Sequence, residues 1–238
     1  MTTSTAAFEV PEHHDRIRVY VWDLVVRITH WLMFFSTLVL VPTGLYIAHP
    51  FRVSGVLLMG YAHMVHLWAA AVLAIVVLAR TLWLVVGSRY ASWDEFLPFS
   101  KRRITDVVKT VLFYGLVFRK PPVAVGHNPL AGLSYFAMGF VYVGIIGTGL
   151  AMYGSSDLTG IAQYFRFLVP FFGGLQMARW IHHLLMWVVI LFSISHIYTA
   201  TVTSTLERNG ELDSMFSGNK FFTAKELAEA DDRREKKQ

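Results

Sequence analysis

The chain predicts an all-α membrane protein, a four-helix transmembrane bundle, and three observations carry that prediction. Apolar residues make up 55% of the 238 positions and charged ones only 16%, whereas a soluble domain carries about 25% charge. Four stretches are almost free of charge: Ile28–Ala48, Val56–Val86, Ala131–Met152 and Trp180–Leu206. Each meets the roughly 20 apolar residues that a helix needs to cross a bilayer. The third observation is the lopsided placement of the basic residues, which orients the spans. A soluble catalytic domain would have to come from another chain.

Taken in order, residues 1–22 form a polar N-terminal arm, and residues 23–206 a membrane domain with spans at about 28–48, 56–86, 131–152 and 177–204. Residues 207–238 form a charged tail. The arm lacks the short apolar core and small-residue cleavage site of a signal peptide, so the first span is expected to stay in the protein. With both termini in the cytoplasm, only Arg52, Arg166 and Arg179 among the 21 Lys and Arg residues fall on the outer side. Arg16, Arg18 and Arg27 precede span one, Arg80 and Arg89 end span two, and Lys101, Arg102, Arg103, Lys109, Arg119 and Lys120 fill the central loop. The positive-inside rule therefore favours cytoplasmic N- and C-termini. The expected location is a bacterial cytoplasmic (inner) membrane.

The loop from Gly87 to Leu130 contains Ile104, Val107, Val108, Val111 and Leu112 at helical spacing, with Asp106 and Lys109 on other faces. That run is short for a crossing and reads as a helix lying at the interface, stopped by Pro121-Pro122. The outer loop, Tyr153 to Gln176, is rich in aromatic residues and glycine. In the tail, Thr223 and Glu226 have the spacing of a capping box for a short surface helix; its charge run, Asp231–Lys237, reads as solvated. No internal repeat stands out.

Composition also excludes chemistry. With no cysteine, disulfides, thiolate metal sites, iron–sulfur clusters and covalently attached haem are all ruled out. Histidine is the remaining soft-metal ligand, and there are ten. The net charge of +5 is concentrated beside the spans, where it meets lipid headgroups rather than nucleic acid.

Ionisable side chains inside a membrane are costly and therefore functional suspects. His30, His63, His66, His182, His183 and His196 lie in the spans; His13, His14, His49 and His127 lie outside or at their ends. His182 and His196 are 14 residues apart, which turns them within about 40° of each other and separates them by about 21 Å along a helix. His183 points nearly opposite to His196. Span four thus offers one imidazole near each membrane face. At matching depth, His30 stands opposite His196, and His66 or His63 stands opposite His182. Two bis-imidazole sites in a four-helix core suit six-coordinate haem, and each imidazole also needs an acceptor for its second nitrogen. Zinc, which prefers one compact tetrahedral cluster, suits them less. Gly44, Gly139, Gly144, Gly147 and Gly149 leave room for a macrocycle or for close helix packing.

These residues resemble a known family. Arg27-Ile28-Thr29-His30-Trp31 with Thr43-Gly44, then Met59-Gly60-Tyr61 to His66, Gly87-Ser88-Arg89-Tyr90, and Ile181-His182-His183-Leu184 with Met186-Trp187 and His196-Ile197-Tyr198 resemble the b-type cytochrome subunit of membrane-bound nickel–iron hydrogenases. The resemblance runs from about residue 17 to residue 205. Its wider relatives are the cytochrome subunits of formate dehydrogenase and thiosulfate reductase and the free-standing cytochromes b561.

The resemblance implies a di-haem b anchor that carries electrons from the small and large subunits of a periplasmic hydrogenase to quinone. It implies His30, His66, His182 and His196 as axial ligands of two haems b, with His63 and His183 as alternatives. Asn128 and Tyr198 would serve a quinone site near the cytoplasmic haem, and Arg27 and Arg179 would meet haem propionates. The competing readings are a cytochrome subunit of formate dehydrogenase or thiosulfate reductase, a free-standing cytochrome b561, and, from another class, a haem-free membrane anchor or metal-ion transporter.

Overall fold

Four long helices dominate the computed structural model, which describes residues 16–93, 96, 101–114, 124–156, 160–207 and 209–235. Pro121-Pro122, His13 and His14 lie outside the described residues, as does the end of the charged tail, residues 236–238. The long helices are α1 (Leu24–Ala48), α2 (Met59–Val86), α4 (Pro129–Ser156) and α6 (Leu175–Glu207), and each is long and apolar enough to cross a membrane. Between α2 and α4 comes α3 (Lys101–Tyr114), a helix where the central loop was expected to hold one. Between α4 and α6 the chain makes a 3₁₀ turn at Gly160–Phe165 and one turn of helix, α5 (Leu168–Phe171).

Helix boundaries depart from the apolar runs by a few residues, for local reasons. Helix α2 begins at Met59 rather than Val56 because Val53 and Val56 bridge across a two-residue turn. Ser54 and Gly55 both take positive φ there, 52° and 81°, as the tight hairpin turn demands. Helix α4 begins at Pro129 because Asn128 caps it: its Oδ1 accepts the Ala131 N–H at 2.7 Å.

Helix α1 packs along α2 and α4 along α6, with further contact between α2 and α4. At mid-height Leu73, Met138, Tyr142 and Val189 are buried together, with Met33, Leu40, Val77 and Phe192 packed around them. The outward faces are apolar; Trp68 is 72% exposed and Val85 80%. A continuous apolar surface of this kind belongs in lipid.

One end of the bundle carries both ends of the described chain, and here the structure adds what the sequence did not disclose. Strand β1 (Arg16–Tyr20) pairs antiparallel with β2 (Asn219–Thr223), setting Ile17 opposite Phe222 and Val19 opposite Lys220. Helix α7 (Glu211–Ser217) precedes β2, and α8 (Ala224–Glu235) follows it. The Thr223–Glu226 capping box forms at the start of α8: the Thr223 N–H donates to Glu226 Oε2 at 2.8 Å, and the Glu226 N–H to Thr223 Oγ1 at 3.3 Å. Val21, Trp22, Val26, Ala91, Val125, Phe222 and Ala230 make a second core under this cap. Lys220, 1% exposed, pairs with Glu211 at 2.7 Å, donates to the Gly126 carbonyl at 3.3 Å and stacks on Trp22. Five-residue strands broken by Arg16, Arg18 and Lys220 give too weak an alternation to be seen in a single sequence.

Candidate functional site

The histidines converge as two pairs, one toward each end of the bundle. At the end that carries the cap, the His30 ring of α1 faces the His196 ring of α6 with centroids 6.2 Å apart. At the distal end, His66 of α2 faces His182 of α6 at 6.5 Å. The mid-height core lies between the two pairs: Met33 and Leu40 separate His30 from Thr43 along α1, and Val189 and Phe192 lie between His182 and His196 along α6.

The distal pair is oriented by two threonines. Thr43 Oγ1 donates to the Val39 carbonyl at 2.7 Å and lies 2.9 Å from His66 Nδ1. Its hydrogen is already committed, so the histidine Nδ1–H donates to the hydroxyl oxygen. Thr148 repeats the device on α4: its hydroxyl donates to the Gly144 carbonyl at 2.8 Å and accepts from His182 Nδ1 at 3.0 Å. His182 Nδ1 also lies 3.0 Å from the Ile145 carbonyl, which can only accept. Both rings therefore carry the proton on Nδ1, held from a neighbouring helix, which leaves Nε2 as the lone-pair donor. A glycine follows each threonine and admits the ring. A Cβ on Gly44 would sit 3.3 Å from His66 Cε1, and one on Gly149 would sit 3.4 Å from His182 Cε1. Of the other glycines noted in the sequence, Gly144 and Gly147 admit Leu185 and Phe172, while a Cβ on Gly139 would meet nothing within 4 Å.

The pair at the capped end is supported differently. Tyr135 of α4 holds its hydroxyl 3.2 Å from His196 Nδ1, and Phe192 stacks parallel to the His196 ring at 5.7 Å. His30 Nδ1 is buried with no hydrogen-bond partner among the described residues. Trp31 donates from Nε1 to the Met215 carbonyl of α7 at 3.1 Å, and Arg27 Nη1 donates to the Phe216 carbonyl. Asp23, just before α1, ties α1 to the end of α2: its Oδ2 accepts from Trp83 Nε1 and the Ser88 N–H, each at 2.9 Å. Burial works to raise the Asp23 pKa, but the Ser88 N–H, the Trp83 indole and the charge of Arg80 together hold it below its ordinary value.

The other site residues expected from the sequence lie apart from the pairs. His63 and His183 are exposed, and each lies 2.9 Å through Nδ1 from a carbonyl of its own helix, Met59 and Arg179 respectively. Arg179 is exposed, and Tyr198, 65% exposed, stands on the outer surface of α6. Asn128 serves as the cap of α4 described above. Tyr135, Thr148 and Arg80 are the site-adjacent residues that sequence reasoning missed. The visible signal for one of them was the Thr-Gly pair, which occurs in α1 and again in α4 at the depth of the distal histidines.

Each pair has the ring separation that a shared metal centre requires. Two imidazoles sharing one metal, each with a nitrogen about 2 Å from it, hold their ring centres roughly 6 Å apart, and both pairs match. The donors are imidazoles from facing helices, with Nδ1 engaged in three of the four. Among the described residues no group of three or more His, Asp or Glu gathers to hold a metal ion. The arrangement fits two separate bis-imidazole centres.

The family model for prokaryotic cytochrome b561 matches residues 21–218. A probable Ni/Fe-hydrogenase B-type cytochrome subunit of Bradyrhizobium diazoefficiens is 33% identical over 218 residues, covering 87% of this chain and 87% of its own length. The subunit of the same description from Rhizobium leguminosarum bv. viciae is 32% identical, covering 89% of this chain and 92% of its own length. A probable Ni/Fe-hydrogenase 1 B-type cytochrome subunit of Escherichia coli is 32% identical, covering 84% and 89%. With four apolar helices, paired imidazoles and a family match across almost the whole membrane region, this chain belongs to the prokaryotic cytochrome b561 family.

Proposed function

We propose that the chain is the membrane electron-transfer subunit of a nickel–iron hydrogenase, holding two haems b and passing electrons to quinone. The observation that carries this reading is the presence of two facing imidazole pairs, at 6.2 and 6.5 Å, toward opposite ends of one bundle. His30 and His196 would hold one haem and His66 and His182 the other. When bound, the haems would supply one-electron iron chemistry at two depths. Thr43 and Thr148 fix the tautomer and direction of the distal rings, and Tyr135 supports His196. The packed core around Leu73, Met138, Tyr142 and Val189 keeps water from the space between the pairs. The descriptions of the relatives favour hydrogenase as the partner over the formate dehydrogenase and thiosulfate reductase alternatives.

The distribution of Lys and Arg supports a cytoplasmic position for the capped end and a periplasmic one for the distal end, where the hydrogenase subunits would dock. The chain is then a multi-pass protein of the inner membrane. Helix α3 lies along the interface in this reading: Ile104, Val108 and Val111 face outward, while Asp106 and Thr110 are buried against the protein. Quinone would approach from lipid at the capped end, where Tyr198 stands on the outer surface two residues after His196.

A reduced-minus-oxidised visible spectrum of the purified chain tests the cofactor reading, since dithionite-reduced haem b gives a sharp α band. In the hydrogenase complex, His196→Ala should remove one haem and abolish hydrogen-dependent quinone reduction while leaving dye reduction intact. Quinone reduction that survives His196→Ala would overturn the electron route.

A further inference from the structure

The capped end contains a half-buried arginine, Arg80, that the imidazole pairs do not explain. Arg80 sits two turns before the end of α2, its guanidinium 5.7 Å from the centre of the Phe96 ring and within electrostatic reach of His30. Its Nη1 is buried with no hydrogen-bond partner among the described residues. Asp23 acts on it through its charge, but Asp23 Oδ2 accepts from Trp83 and Ser88. One turn before His30, Arg27 presents a second such atom: Nη1 donates to the Phe216 carbonyl, yet Nε is buried and without a partner. A buried guanidinium nitrogen with nothing to donate to is costly inside a membrane protein and calls for an acceptor. Two of them at the end of the bundle that holds His30 call for an anion that offers several oxygens.

We infer that Arg80, together with Arg27, seats the carboxylates at the edge of the macrocycle held between His30 and His196. The inference rests on the two-haem reading. Arg80 is a positioning residue here: its fork fixes the carboxylate edge toward the capped end, and its charge stabilises the electron-richer ferrous state. Among the described residues the distal pair has no equivalent buried and unpartnered guanidinium nitrogen: Arg166 and Arg179, at that end, are both exposed. Arg52, the arginine beyond that end of α1, is exposed and donates to the Gly55 carbonyl.

An optical redox titration of the full-length haem-loaded protein tests this. In Arg80→Gln, the midpoint of one haem should fall by at least tenfold in its reduction equilibrium, about 59 mV for a one-electron couple, while the other stays in place. The moving component should be the one that His196→Ala deletes. Arg80→Lys keeps the charge and loses the fork, so it should shift the same haem by less; it also decides the matter if Arg80→Gln does not accumulate. Arg52→Gln should move neither. Two haems with unchanged midpoints in Arg80→Gln, or in Arg80→Lys if only that variant accumulates, would overturn the role of Arg80 alone. Equal shifts of both haems would overturn it too. A wild-type protein that takes up no haem would overturn the proposed function itself.

Discussion

The two imidazole pairs occupy the same bundle and share helix α6, yet they are braced in different ways. At the distal end both rings are braced within the spans. Thr43 and Thr148 are locked to carbonyls of their own helices, and Gly44 and Gly149 let the rings lie against the backbone. At the capped end only His196 has a side-chain brace, the longer 3.2 Å contact with Tyr135, and His30 Nδ1 has none among the described residues. What surrounds that pair comes instead from α7, through Met215 and Phe216, and from Arg27 and Arg80. The distal pair is thus orientated before any ligand arrives, while the other is finished by polar groups that still lack acceptors.

Ligand removal should give the largest effect and test whether the pairs are separate centres. His66→Ala or His182→Ala should each remove one haem, His30→Ala or His196→Ala the other, as read by haem content per protein and by which redox component disappears. Loss of both haems from any single change would show that the pairs are not independent.

Next come the braces. Thr43→Val or Thr148→Val removes the acceptor that orients a distal imidazole, and such supports of metal-binding histidines typically matter by about tenfold or more in affinity. Haem retention under mild detergent or competing apoprotein should fall at the distal centre only. Tyr135→Phe removes a long hydrogen bond worth about 1 kcal/mol or less, so it should shift the capped-end centre slightly and leave its occupancy intact. Comparable losses from Thr148→Val and Tyr135→Phe would erase the contrast between the two ends.

The smallest effect concerns pH. The Asp23 carboxyl is held below its ordinary value of 3.8, so its clamp between α1 and α2 contributes fully above that value and is lost as pH falls through the lowered one. Asp23→Asn should melt earlier than wild type at neutral pH and show a flatter acid limb in thermal melts. A parallel acid limb would remove Asp23 from the account.

Much of this arrangement could be read from the sequence because its signals are long or periodic. Twenty-residue apolar runs mark the helices, and a 14-residue spacing sets His182 and His196 on one face. The choice between His66 and His63 was open to depth arguments, since three residues make less than one turn; only packing against α6 turns His66 inward and leaves His63 exposed. The threonine braces escaped because a hydroxyl in a membrane helix usually bonds to its own backbone. Thr43 and Thr148 do so and serve a neighbouring helix as well. Tyr135 and Arg80 act across helices, which no spacing within one helix reveals. The strand pairing of arm and tail depends on residues some two hundred positions apart, and local propensity is silent there.

That separation has a consequence for biogenesis. Trp22 donates to Ser214 across 192 positions, and Trp31 reaches Met215 across 184. The ribosome will have threaded every span into lipid before the lid over His30 can close. On the two-haem reading, cofactor loading at that end would therefore have an open window while the chain is being made.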